Sequence, residues 1–227
     1  MVNKKDGIDI KRNAIETEIM TIRSFIKNNR KIVLLLTLFL LAVSVITISC
    51  YAVVSNISEN NLVRYEKIVE KYRLNLSDDE VKKETIKELN ELVKSSGVGI
   101  AIDLSYYELG NIYFDNKEFV KSAESLGNFI DRSDSEDILK PMAVNKMAIS
   151  YEENGKIDEA LKVLVEYEAG SSKSIAADQI LYNMGRLYQK KGDKVKAKSA
   201  FERLIKTYPG SFYSGRAKER IFLLDSK

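Results

Sequence analysis

The chain has 227 residues, with 36 Lys and Arg against 33 Asp and Glu, 11 Gly, 2 Pro, one Cys and no His. Few Gly and Pro beside 30% charged residues favour long helices over sheets. A lone Cys50 excludes an internal disulfide, and the absence of His removes the commonest metal ligand and general base.

Residues 1–31 carry eight bases and four acids, net +4, which leaves −1 on the remainder, so nothing argues for nucleic acid as a ligand. Within them Ile8, Ile15, Ile19, Ile22 and Ile26 step by 7, 4, 3 and 4, one stripe of a helix. The other faces hold Lys11, Arg12, Glu16, Glu18, Arg23 and Lys27. Three readings stay open: a partner-docking helix, a helix lying on an anionic leaflet, or a plain lead-in to the apolar run that begins at Ile32.

Ile32 to Val54 is 23 residues without a charge. As a helix it would extend about 35 Å, enough for a hydrocarbon core of about 30 Å. Arg30 and Lys31 abut its start, and the next base is Arg64. The positive-inside bias therefore predicts a single-pass anchor at a bacterial inner membrane, with the N-terminus cytoplasmic and residues 55–227 periplasmic. A cleaved signal usually has a 7–15-residue apolar core behind a short basic start, whereas the region preceding this run is 31 residues long and contains acids. Lipid attachment at Cys50 is the other rival; Ser49 suits it, but Ile46, Thr47 and Ile48 do not, and a small apolar residue in a membrane helix explains Cys50 better.

Residues 55–100 read as a degenerate helix pair. Tyr65, Ile68, Val69 and Tyr72 are helically spaced, Ser77 with Glu80 fits a capping box, and Ile86, Leu89 and Leu92 share one face before a stop at Gly97. Residues 101–209 then hold three copies of one pattern, headed by Tyr113, Tyr151 and Tyr188. Three residues before each Tyr stands Gly110, Ala148 or Gly185. Nine after stands Ser122, Ala160 or Ala197, and thirteen after stands Leu126, Leu164 or Phe201. The copies are 38 and 37 residues apart, a period that marks stacked helical hairpins. Gly155 and Gly192 fall where the chain turns within a hairpin; in the first copy Lys117 takes that position behind Asn116, a residue that tolerates left-handed backbone. Residues 210–227 contain a last helix, 212–224, whose Arg216, Lys218, Glu219 and Arg220 can face water as a cap.

These blocks resemble tetratricopeptide repeats. The third copy matches at Leu181, Met184, Gly185, Tyr188, Gly192, Ala197, Phe201, Tyr208 and Pro209; the second lacks the closing Pro, and the first has Ser122 for the usual Ala. The resemblance covers about 110 residues. It implies an all-α chain: an N-terminal cytoplasmic helix, a transmembrane helix, then an α-α superhelix. The layout is also similar to the YfgM-like family, ancillary subunits that link the bacterial Sec translocon to periplasmic chaperones. The ending AFERLIKTYPGSFYSGRAKERIFLL resembles repeats of outer-membrane assembly lipoproteins and periplasmic cell-division coordinators as well. The expected function is a membrane-anchored scaffold that recruits proteins or extended peptides, its partners including translocon subunits and chaperones. The alternative is a structural subunit, lipid-anchored or not, of an outer-membrane assembly or cell-division complex.

No enzyme is expected and no cofactor. GxGxxG and GxxxxGK[ST] are absent, and no nucleophile has a His to pair with. Glu152-Glu153 and Asp78-Asp79 are expected as solvated carboxylates at helix ends. Asp131 to Asp137 lacks the Gly and terminal Glu of a calcium loop. The run Lys190, Lys191, Lys194, Lys196, Lys198 reads as a solvated face. By the resemblance, the first helix of each pair lines a concave groove. Its inward positions are Tyr107, Asn111 and Phe114 in the first copy, Asn145 and Ile149 in the second, and Tyr182, Arg186 and Gln189 in the third. Amides can bond a peptide backbone, aromatics can cover apolar side chains, and Arg186 can meet a carboxylate. The same aromatic residues can instead pack on neighbouring helices. On the groove reading, Tyr182→Ala or Arg186→Glu weakens partner capture without unfolding.

Overall fold

In the computed structural model, residues 4–95, 99–134, 138–170 and 176–226 are described, with side chains from Glu16 onward. Among them the chain is helical, with no strand. The elements are α1 (Lys4–Asn28), α2 (Arg30–Leu74), α3 (Asp79–Ser95), α4 (Ile100–Asp115), α5 (Phe119–Arg132), α6 (Lys140–Glu153), α7 (Ile157–Gly170), α8 (Ala177–Lys191), α9 (Lys194–Thr207) and α10 (Phe212–Asp225). The chain divides into two compact units, residues 1–56 and 57–227.

The first unit holds α1 and the apolar half of α2. That half is long and apolar enough to cross a membrane, and its large side chains are exposed. Thr37, Ser44 and Thr47 bond back to carbonyls of their own helix at 2.8–2.9 Å, so the hydroxyls are satisfied without a partner chain. The sequence pattern predicts one helix for the apolar run and another for the segment containing Tyr65. Instead α2 carries both, because no Gly or Pro stands between Val54 and Tyr65 to end it.

In the second unit α4–α5, α6–α7 and α8–α9 form hairpins, and each hairpin packs on the next through α5·α6 and α7·α8. First helices also touch one another, α4 on α6, α6 on α8 and α8 on α10. The spacing pattern has a direct physical cause. Gly110 lies against Leu126, and Gly185 lies against Phe201, so the small residue of one helix receives the large residue of its partner. Leu126, Leu164 and Phe201 are completely buried. Ser122 replaces Ala without leaving an orphan hydroxyl: its Oγ lies 2.9 Å from the Gly110 carbonyl and 3.0 Å from Ser150 Oγ.

The turns obey the same logic with two corrections. Gly155 and Gly192 take φ of 75° and 86°, but in the first copy Lys117 itself adopts φ 61° while Asn116 stays at −80°. The N-cap of α3 is Asp78, not Ser77: its carboxylate accepts from the N–H of Glu80 at 2.9 Å and of Val81 at 3.2 Å. A carboxylate one residue nearer the helix satisfies two end amides at once. Asp193 and Ser211 cap α9 and α10 in the same way. Gly97 lies outside the described residues.

The core is apolar and built in sections. Tyr65, Ile68, Val69 and Tyr72 of α2 pack with Leu89, Leu92, Ile102, Leu109 and Ile112. Leu126, Phe129 and Ala143 join the first two hairpins. A larger section runs from Val144 and Leu164 through Ile180, Leu187 and Phe201 to Ala217.

Candidate functional site: the face of the first helices

Tyr107, Asn111 and Phe114 are spaced i, i+4, i+7 on α4. Tyr182, Arg186 and Gln189 repeat that spacing on α8, and on α6 it is completed by Glu152 after Asn145 and Ile149. At 3.6 residues per turn each triplet forms a stripe. Contacts between α4, α6, α8 and α10 bring the stripes side by side.

Polar side chains link them in a ladder. Lys146 Nζ donates to Asn111 Oδ1 at 2.7 Å and stands 5.3 Å from the Phe114 ring centroid. Asn183 Nδ2 donates to Asn145 Oδ1 at 3.0 Å, and Asn145 Nδ2 donates to the Pro141 carbonyl at 3.1 Å. Both guanidinium nitrogens of Arg186 donate to Glu152, Nη1 at 2.6 Å, and Lys190 Nζ adds a bond at 3.1 Å. Arg220 Nη1 reaches Gln189 Oε1 at 3.4 Å.

The predicted residues therefore separate by burial. Tyr182 and Asn145 are 7% and 3% exposed. The Tyr182 ring lies between Phe201 at 5.9 Å and Tyr213 at 5.2 Å, so removing it opens the core between α8, α9 and α10. Tyr107, Asn111, Phe114, Ile149, Arg186 and Gln189 are half-buried and border solvent. Tyr107 leans on Phe129 at 5.2 Å, and Phe114 meets the edge of Phe119 at 5.6 Å.

Glu152 overturns the expectation of a solvated carboxylate. It is buried, and the Arg186 guanidinium holds its carboxyl below the usual carboxylate range against the opposing effect of burial. Arg186 thus already has an acid. The signal was legible: Glu152 lies seven residues after Asn145, on the same stripe. The lysine run is also less free than expected. Lys190 reaches Glu152, Lys191 reaches Asp158, Lys198 bonds Asp225 at 2.9 Å, and Lys196 lies 5.6 Å from the Tyr188 ring centroid.

At the N-terminal end of the face, Glu108 behaves oppositely. Burial pushes its carboxyl above the ordinary value, while Arg73, a hydrogen bond from Asn111 and Lys146 pull the other way. Burial, with the Glu108 charge nearby, pushes the Tyr65 phenol up to about 12. The missed residues are thus Glu108, Lys146, Glu152 and Asn183, all charged or amide side chains pointing between first helices. Among the described residues no cluster of His, Cys, Asp and Glu is placed to hold a metal ion.

Comparison with known proteins agrees with this geometry. Residues 179–211 match the model of the tetratricopeptide repeat. No curated protein matches the chain. Among solved structures, the MamA protein aligns with a TM-score of 0.54 at 21% identity, over 74% of this chain and 86% of that one. The nearly identical TPR-like repeats of a Podosopora anserina protein give 0.52 at 19%, over 74% and 86%. BtubC from P. vanneervenii gives 0.52 at 13%, over 75% and 82%. The fold of the second unit is therefore a tetratricopeptide-like superhelix.

Proposed function

We propose that this chain is a membrane-anchored scaffold whose superhelix recruits proteins or extended peptides. In this reading α2 crosses the bacterial inner membrane between Ile32 and Val54, residues 1–31 face the cytoplasm and the superhelix faces the periplasm. The physiological setting is the exit of the Sec translocon, where the array holds chaperones or emerging clients. The domain plan is 1–31, 32–54, 55–100, 101–209 and 210–227.

The observation that carries the reading is the face of α4 and α6. Tyr107, Phe114 and Ile149 are half-buried there beside the amide Asn111 and the cation Lys146. Apolar surface at the edge of solvent, interrupted by groups that bond a backbone, suits a chain segment laid across the helices. Anchoring supplies local concentration, so a modest affinity at the face suffices. The tetratricopeptide-like fold, typical of protein–protein interaction scaffolds, supports this reading.

A photoreactive residue at Phe114 or Ile149 of the full-length chain tests it, with the exposed Lys162 on α7 as the comparison. Crosslinks from 114 and 149 to translocon subunits and periplasmic chaperones, and none from 162, are expected. Equal products from all three positions would remove the face as the site. Products limited to outer-membrane assembly or division proteins would replace the translocon setting with that of a structural subunit.

A further inference from the structure

We infer that α1 pairs with α1 of a second copy of this chain as a short parallel coiled coil. This goes beyond the scaffold reading and does not depend on the groove. The Ile stripe obeys a heptad: Ile8, Ile15 and Ile22 take one seam position, and Ile19 and Ile26 take the other. The helix that carries them is continuous, Lys4–Asn28. α1 ends at a turn at Asn29, whose N–H bonds the Phe25 carbonyl at 2.9 Å and whose carbonyl accepts from Val33 N–H at 3.0 Å, and α2 begins at Arg30. Asn29, Val33 and Leu36 continue the same seam positions.

Ile19, Ile22 and Ile26 are 57%, 60% and 46% exposed, an apolar strip left uncovered by the described residues of its own unit. On the opposite side Thr21 and Ser24 bond their own helix carbonyls at 2.9 and 2.8 Å. That side has no need of a partner.

The flanking charges identify the occupant. In a parallel, in-register pair the residue before one seam position faces the residue five further on in the other helix. Those couples are Lys4 with Asp9, Lys11 with Glu16 and Glu18 with Arg23, opposite in sign every time. The fourth couple sets Phe25 against Arg30, a ring and a cation. A membrane surface would explain the Ile stripe but not this register. An anionic leaflet would also meet Glu16 and Glu18, which border the stripe on its two sides. Lys5 and Arg12 occupy seam positions in the first two heptads, so the apolar contact is concentrated over Ile15–Ile26 and the polar positions fix alignment. A common membrane would hold two copies parallel and raise their effective concentration, which offsets the shortness of the seam.

The test uses the full-length chain in a Cys50→Ser background, oxidised in isolated membranes. Single cysteines go at the seam (Ile22→Cys, Ile26→Cys) and away from it (Thr21→Cys, Ser24→Cys). Expected are covalent dimers from the seam positions, at least about fivefold above the others. Glu18→Arg, read out through Ile26→Cys, should lower the yield by about fivefold, since symmetry removes two ion pairs. Adding Arg23→Glu should restore it. Equal yields at all four positions, no dimers at any, or a double exchange that fails to restore crosslinking would overturn the proposal. Equal yields would point instead to a helix lying on lipid.

Discussion

Gly185→Ala adds one methyl group to a helix interior, where Ala ordinarily stabilises by about 0.5–1 kcal/mol relative to Gly. Here the added Cβ would stand 2.6 Å from Cδ1 and 2.7 Å from Cζ of Phe201. Phe201 has no exposed surface into which to withdraw, and Tyr182 stands 5.9 Å from its ring. Overpacking of this kind costs about 1–3 kcal/mol. The net loss is then about 1–2 kcal/mol, a fall in Tm of roughly 2–8 °C for a domain of this size. The second copy indicates the remedy, because its corresponding pair is Ala148 and Leu164. Gly185→Ala with Phe201→Leu should therefore be more stable than the two single losses summed, with a coupling of about 1 kcal/mol. Thermal melts by circular dichroism on the full-length chain in detergent measure all three variants. Gly127→Ala is the control: the nearest atom is the flexible end of Met147 at 3.4 Å, and a small gain is expected. An unchanged Tm for Gly185→Ala, or additive losses in the double variant, would refute the close-approach reasoning.

The face of the first helices yields four further expected outcomes. Glu152→Gln should cost about 2 kcal/mol at neutral pH, because it strips the charge from a buried partner of Arg186 and Lys190. The Glu152 carboxyl is held below its ordinary value, so its stabilisation is present above the unfolded carboxylate pKa and fades as pH falls through the folded one; urea midpoints of wild type and variant should converge on acidification. Glu108 has the opposite sign, its folded value being raised chiefly by burial. Its penalty is complete above the folded pKa and vanishes below the unfolded one, so Glu108→Gln should raise the midpoint at neutral pH and leave it unchanged in acid. Tyr182→Ala should lower stability by about 3 kcal/mol rather than act on capture alone, because the ring is buried; Phe114→Ala should lower crosslinking to clients with a Tm loss of only a few degrees. A Tyr182→Ala melt matching wild type would show that the ring does not support the core.

The helical class, the repeat phase and the close-packed pairs were legible in the chain because each depends on local periodicity or on size at a fixed interval. Gly110 with Leu126 and Gly185 with Phe201 share one sequence interval, and a small residue opposite a large one means the same thing in every copy. The apolar run of α2 was legible for the same reason, since length and absence of charge are properties of a segment. The fates of Arg186, Asn145 and Tyr182 were not. Whether a polar residue on an inward stripe meets a ligand or the next helix depends on what that helix presents, some 34–38 residues away in sequence. Glu152 looks like a solvated acid beside Glu153 and Asn154 until α8 places a guanidinium over it. Periodicity assigns a side chain to a face, but the distance between faces is set by packing, and hydrogen bonds and desolvation change over a few ångströms.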